Sequence, residues 1–167
     1  MLKYSVDRVR IGIVGGGASG VVLAGFLADA AKAADFPLEI HLFESSDKLL
    51  RKVGATGNGR CNFTNENMGP YHYTGGSDTF VESSMANFTF QDACDLFENL
   101  GIPWTTLASG MTYPSTMQAA TIVDRLHDWL EAGGVHLHFN SEVVGLKQVN
   151  SGENQAPTYF LHFSDGQ

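Results

Sequence analysis

Gly15, Gly17 and Gly20 stand in the spacing G-x-G-x-x-G, directly after the apolar run VRIGIV (9–14) and before VVLAGFLADAAKAA (21–34). A strand that turns through glycines into a helix can hold a pyrophosphate without a basic side chain. The first glycine permits the turn, the second lets phosphate oxygens approach the backbone, and the third lets helix and strand pack closely. The unbonded N–H groups and positive end of the helix supply the attraction. A second apolar run, LEIHLF (38–43), ends in Glu44, 24 residues past Gly20. A carboxylate there suits the hydroxyls of an adenosine ribose. These residues together predict a dinucleotide site made by Gly15, Gly17, Gly20 and Glu44.

Two blander readings compete for the stretch. Residues 11–28 are eighteen positions without a charge, near the length of a membrane span. Six of them are glycine, and Asp29 and Lys32 follow at once, which weighs against a span or a signal-peptide core. The other reading is a glycine turn in a parallel sheet that binds nothing, and Glu44 at the strand end weighs against it.

The second stretch with chemistry in it is KLLRKVGATGNGRCNFTN (48–65). Gly54, Gly57, Asn58 and Gly59 do not sustain a helix or strand, so a backbone-dense loop is predicted. It carries Arg51, Lys52 and Arg60, and it follows the strand that ends in Glu44. By chain position it is expected over the crevice outside the strand ends, where glycine N–H groups and an arginine suit a pyrophosphate or the polar edge of a ring. The competing reading is a surface loop with incidental charges.

The remaining elements position these two stretches. Strands over 9–14 and 38–44 flank a helix to about residue 34, a βαβ unit whose common form is right-handed. Residues 1–8 read as a polar lead-in, and 66–87 as loop with one short helix near 78–86. Thr89-Phe90-Gln91-Asp92 has the form of a capping box, opening a helix to about Asn99 with Phe90, Ala93, Phe97 and Leu100 on one face. Ser115-Thr116-Met117-Gln118 repeats the signal and predicts a helix to about Ala132, with Ala119, Val123, Leu126 and Leu130 inward. VHLHF (135–139) alternates as a strand does, so His136 and His138 share a face. Two histidines at that spacing can bind a metal, but no third ligand is evident nearby, and a solvated or layer-facing pair is the preferred reading. EVVGLKQV (142–149) and TYFLHF (158–163) read as antiparallel strands joined by the polar loop NSGENQAP. Asp165-Gly166 then signals a further hairpin, so a third strand is expected and the chain reads as part of a longer protein.

Composition sets the outer bounds. The 167 residues are 43% hydrophobic and 17% charged, enough for a domain with a sizeable core. The net charge of −8 and ten scattered Lys and Arg weigh against a nucleic-acid surface, which needs clustered cations. Cys61 and Cys94 form neither a disulfide framework nor a C-x-x-C pair, and with no targeting segment a reducing cytoplasm is expected.

Three blocks resemble the BaiN/YhiN-like flavoproteins, a family of NAD(P)/FAD-dependent oxidoreductases. They are IGIVGGGASG with Phe43-Glu44, GATGNGRCNFTN (54–65), and YPSTMQAATIVDRLHDWLEAGGVHLHFNSEVVGL (113–146). The middle block is the diagnostic one, and the match covers nearly the whole chain but only the N-terminal part of the family's length. The resemblance implies an α/β, Rossmann-like three-layer FAD-binding domain: a parallel sheet plus the start of an antiparallel β-meander, incomplete in this chain. It implies FAD, with NAD(P)H as a candidate electron donor. Gly15, Gly17, Ala18, Ser19 and Gly20 would hold the pyrophosphate and Glu44 the ribose. Lys52, Gly59, Arg60, Cys61 and Asn62 would run toward the flavin, and the backbone of Val143 would meet the adenine. Cys61 reads as a small packing residue rather than a redox thiol, and no side chain is assigned as a general acid or base. The chain departs from the family in reading SGMTYP (109–114) where an arginine is usual. The reading is therefore hydride transfer through FAD to an unidentified small molecule. The alternatives are an NAD-dependent dehydrogenase half-domain, or a non-catalytic fragment that self-associates through an unpaired sheet edge.

Overall fold

A computed structural model describes residues 9–75, 77–149 and 158–166. The expected lead-in (1–8) and the NSGENQAP loop (150–157) lie outside the described residues. The chain divides into two compact units, one formed by residues up to Leu50 together with Trp129 onward, the other by Arg51–Asp128.

The first unit is built on the predicted βαβ. Strand β1 (Val9–Val14) runs into helix α1 (Ala18–Ala33), and strand β2 (Leu38–Phe43) returns parallel to β1 in the register Val9↔Leu38 to Val14↔Phe43. Val21, Ala24, Gly25 and Ala28 form the buried stripe of α1, the i, i+3, i+4, i+7 spacing of an amphipathic helix. The end of a later helix belongs here too, and Trp129 on it donates through Nε1 to Asp29 at 2.9 Å and meets Phe26 edge-on. Within this sheet, Ile13, Ile40 and Leu42 are buried, Leu42 completely.

The third parallel strand comes from the far end of the sequence. It covers His136–His138, shorter than the predicted 135–139, and pairs with β2 as His41↔His136 and Phe43↔His138. Two further strands, Val143–Val149 and Thr158–Phe163, pair antiparallel as expected. Phe163 and Phe43 are in ring contact at 5.3 Å, so this pair lies on the β2 face that carries the histidines.

The second unit holds an α/β arrangement only partly foreseen. Helix α2 spans Arg51–Gly59 but is broken at Thr56, after which Gly57 and Asn58 are left-handed. A short antiparallel sheet forms from β3 (Thr64–Asn65), β4 (Trp104–Thr106) and β5 (Met111–Pro114) in the order β3-β5-β4. None of the three was expected, because each is only two to four residues long. Helix α3 (Asp78–Ala86) matches the predicted short helix. Helix α4 (Phe90–Asn99) opens on the predicted capping box: Thr89 N–H donates to Asp92 Oδ2 at 2.7 Å, and Asp92 N–H to Thr89 Oγ1 at 3.2 Å. Its buried face includes Cys94 beside Ala93.

Helix α5 (Ala119–Ala132) corrects two expectations. Its capping box does not form, because Met117 takes a left-handed φ of 54° and the Thr116 hydroxyl pairs with that of Thr121. Its buried positions are Ala119, Ile122, Leu126 and Leu130, with Ile122 in the place expected of Val123. At 3.6 residues per turn the two neighbours straddle the stripe, and sequence alone does not rank them. The strands after α5 are numbered β6 (His136–His138), β7 (Val143–Val149) and β8 (Thr158–Phe163).

Leu42 is fully buried and Leu146 is 64% exposed. Leu42→Ala should lower unfolding free energy in urea by about 2–5 kcal/mol, and Leu146→Ala should stay within about 0.5 kcal/mol of the parent. Equal losses would contradict this burial pattern.

Candidate dinucleotide site

The glycine turn is shaped by backbone bonds to the strand and loop beside it. Gly15 sits at φ 103°, a conformation glycine adopts without strain, and its N–H donates to the Phe43 carbonyl at 2.8 Å. The Gly16 carbonyl accepts from Leu50 N–H at 2.8 Å, and Gly16 is buried. Gly20 lies against the Gly15 carbonyl oxygen so closely that a Cβ there would overlap it. Gly17 differs from both. Its backbone is extended (φ −77°), and a Cβ on it would meet no atom of the described residues within 4 Å.

Helix α1 begins at Ala18 with no side-chain cap and no acidic residue in its first turn, and Gly17, Ala18 and Ser19 are exposed. The first N–H groups of a helix lack intrahelical acceptors. An exposed, uncapped N-terminus entered through Gly17 is suited to an anion.

Glu44 is the carboxylate of this site, and it already holds the glycine turn. Its Oε2 accepts from Gly16 N–H at 2.8 Å. Its Oε1 accepts from Ser46 N–H at 2.8 Å, the Ser46 hydroxyl at 2.7 Å and the Ser45 hydroxyl at 3.2 Å. A carboxylate oxygen has more than one acceptor direction, so Oε2 keeps room for a ligand hydroxyl. Burial pushes the Glu44 carboxyl up, but the Ser46, Gly16 and Ser45 donors outweigh it and hold the group below its ordinary 4.5. Serines 45 and 46 went unread in the sequence, although two serines directly after a strand-ending acid are the signal for such a cradle. The Glu44 carbonyl accepts from Ser141 N–H at 2.9 Å, two residues before Val143, the half-buried first residue of β7.

The other predicted residues form a loop of the second unit. Lys52 is exposed on the helical turn of α2, and Gly59, Arg60 and Cys61 follow its break. Arg60 Nε donates to the Gly57 carbonyl at 3.1 Å, and its guanidinium lies over the Tyr113 ring, 5.1 Å from the centroid. Gly57 and Asn58, with φ of 57° each, give the loop its tight turn. Cys61 is buried at φ 57°, and burial pushes its thiol above the ordinary range despite a bond from Thr56. A buried, neutral thiol is a packing group rather than a nucleophile. Asn62 is half-buried next to it.

A second cluster lies on the β2–β6 face. His136 and His138 are not an isolated pair: His41 stacks on both, at 4.8 and 5.2 Å between centroids, and bonds Glu39. Burial, then His41 and His136, lower His138 below its ordinary value, and the His41 bond lowers Glu39. Among the described residues no helix is long and apolar enough to cross a membrane.

Comparison with known proteins agrees with this geometry. The HI0933-like protein Rossmann domain matches residues 9–159. The chain belongs to that family. This is the BaiN/YhiN-like group of flavoprotein oxidoreductases that the three motif blocks resemble. Among its relatives, 3-dehydro-bile acid delta(4,6)-reductase of Clostridium scindens is 34% identical over 95% of this chain and 36% of its own length. Ribosomal RNA dihydrouridine synthase of Escherichia coli is 32% identical over 88% of this chain and 35% of its own length. The chain thus spans about a third of the length of these curated relatives. The solved structure of Thermovibrio ammonificans THI4 shares the fold at a TM-score of 0.55 and 18% identity, covering 93% of this chain and 46% of that one. The Rossmann-like α/β fold is thereby established.

Above its unfolded value the ionised Glu44 stabilises the folded chain, and that contribution fades as pH falls through its lowered folded value. The melting temperature of the parent should exceed that of Glu44→Gln by a steady margin from pH 7 to about 5, and the margin should shrink below roughly pH 4. A margin unchanged down to about pH 3 would contradict the role given to Glu44.

Proposed function

We propose that this chain is the portion of a flavin-dependent oxidoreductase that holds the adenosine diphosphate half of FAD. The observation that carries the reading is the difference among the motif glycines. Gly15 and Gly20 are required by the fold itself, whereas nothing among the described residues requires Gly17. A glycine that the fold does not need, at the mouth of an uncapped helix, is accounted for by a ligand that approaches its backbone.

In this reading Gly15, Gly17, Ala18, Ser19 and Gly20 surround the pyrophosphate, and Glu44 Oε2 accepts from the ribose. The backbone of Val143 meets the adenine. In the second unit the exposed Lys52 and the Arg60 guanidinium oriented on Tyr113, beside Gly59, Cys61 and Asn62, have the chemistry to meet a phosphate or the polar edge of a ring. When bound, FAD supplies hydride transfer at its ring, and the protein's share is binding and orientation. The two relatives are named for a bile-acid reaction and a ribosomal RNA reaction. For this chain a small-molecule substrate is favoured, because its net charge of −8 repels a phosphate backbone. The buried free thiols Cys61 and Cys94 accord with a reducing cytoplasm.

A second reading, self-association, has one observation in its favour: Val144, Leu146 and Tyr159, on one face of the β7–β8 pair, are 63%, 64% and 54% exposed. A sedimentation profile that shifts from monomer to dimer with concentration, and stops shifting in Leu146→Lys, would support it; a monomer throughout would dismiss it.

The test of the main reading is titration of the chain with FAD, followed by flavin fluorescence. Gly17→Val should reduce affinity at least about tenfold, since the side chain fills phosphate space, while unfolding free energy stays within about 1 kcal/mol. FAD that fails to bind the parent chain, or binds Gly17→Val equally well, would overturn the assignment.

A further inference from the structure

A parallel sheet covered on both faces ordinarily shows apolar residues on both. The β2–β6 face departs from this. The register His41↔His136 and Phe43↔His138, together with strand alternation, lines up Glu39, His41, His136 and His138 on one face. The rings form a stack, His136–His41–His138–Phe43, with neighbouring planes within 23° of parallel. One ligand atom from each of Glu39, His41 and His136 lies within 4.8 Å of the other two. We propose that Glu39, His41 and His136 bind a divalent transition-metal ion of zinc's class, with His138 as a positioning residue.

Two imidazoles and a carboxylate are a three-ligand set that leaves a fourth position open. Bonds of about 2.0–2.2 Å place tetrahedral ligand atoms about 3.3 Å apart, so the Glu39–His41 pair, at 2.9 Å, opens slightly and the His136 atom moves in by up to about 1.5 Å. His136, exposed on β6, has the freedom to swing inward, and Glu39 and His41 are fixed two residues apart on β2. His41 Nδ1 lies 2.9 Å from His138 Nε2, and His41 Nε2 lies 2.9 Å from Glu39 Oε1. With Nδ1–H donating to His138, the ion takes the place of the proton between Nε2 and Oε1. A ligating histidine whose other ring nitrogen is held by a neighbour is the usual arrangement in metal sites. The ion would clip β2 to β6, independently of whether the glycine turn binds FAD.

The test is titration of the metal-stripped chain with Zn2+ by calorimetry and with Co2+ by visible absorption. The expected result is one ion per chain, with affinity reduced at least about tenfold in His41→Ala, His136→Ala and Glu39→Gln. His127→Ala, in the other unit, should bind as the parent does. His138→Ala should weaken binding, and His138→Gln, which keeps an acceptor, should recover it with the parent Co2+ spectrum. Because His136 is exposed, His136→Ala should keep the parent far-ultraviolet circular dichroism, so its result speaks to the site alone. Absence of binding to the parent, or binding that survives His136→Ala and His41→Ala unchanged, would overturn the proposal.

Discussion

The bond from Gly16 N–H to Glu44 Oε2 is the contact on which the arrangement of the glycine turn depends. It joins the loop after β1 to the end of β2, in the same place where Gly15 N–H reaches Phe43 and Leu50 N–H reaches Gly16. Three backbone groups of one turn are thereby fixed by the neighbouring strand and its continuation. Without that grip, a run of three glycines would have more conformational freedom than any other tripeptide. A phosphate would then have to order it on binding. With the grip, the N–H groups stand ready, and binding costs less ordering. Glu44 is therefore a structural acceptor first. The ligand role proposed for it would use the acceptor capacity that remains.

The same economy shows in the other loop. Gly57 and Asn58 reverse the chain so that Arg60 folds back on Tyr113 and Cys61 turns into the core of its unit. The guanidinium is held by a carbonyl and a ring rather than by a carboxylate, which leaves its charge uncompensated and able to meet an anion. The carboxylate ion pairs Glu39–His41 and Arg125–Asp128 do not involve Arg60. A cationic group oriented without neutralisation fits a phosphate-bearing cofactor better than it fits a structural salt bridge.

Much of this is legible in the sequence alone. The G-x-G-x-x-G spacing, the two flanking apolar runs and Glu44 defined the βαβ unit, because its periodicities and glycine chemistry are local. The capping box at Thr89 and Asp92 was legible for the same reason. What escaped was set by pairing over long separations. The small sheet of Thr64–Asn65, Trp104–Thr106 and Met111–Pro114 consists of strands too short to carry a period. The partnership of His136 and His138 with His41 and Glu39 rests on a register between residues nearly a hundred positions apart. Alternation in VHLHF places His136 and His138 on one face of their own strand, but nothing local says which strand adjoins them. Glu44's serine cradle has a local signal, Ser45-Ser46 directly after the strand-ending acid, and a ribose role for the carboxylate does not by itself reveal it.

The most direct test of the central claim is an amide proton–nitrogen NMR titration of the chain with ADP, the half of FAD that we propose the turn and Glu44 hold. Shifts concentrated in Gly15 to Gly20 and Ser46, with Gly16 N–H protected from exchange before ligand is added, are the predicted result. A turn whose Gly16 amide exchanges freely, or shifts confined to other parts of the chain, would contradict the account.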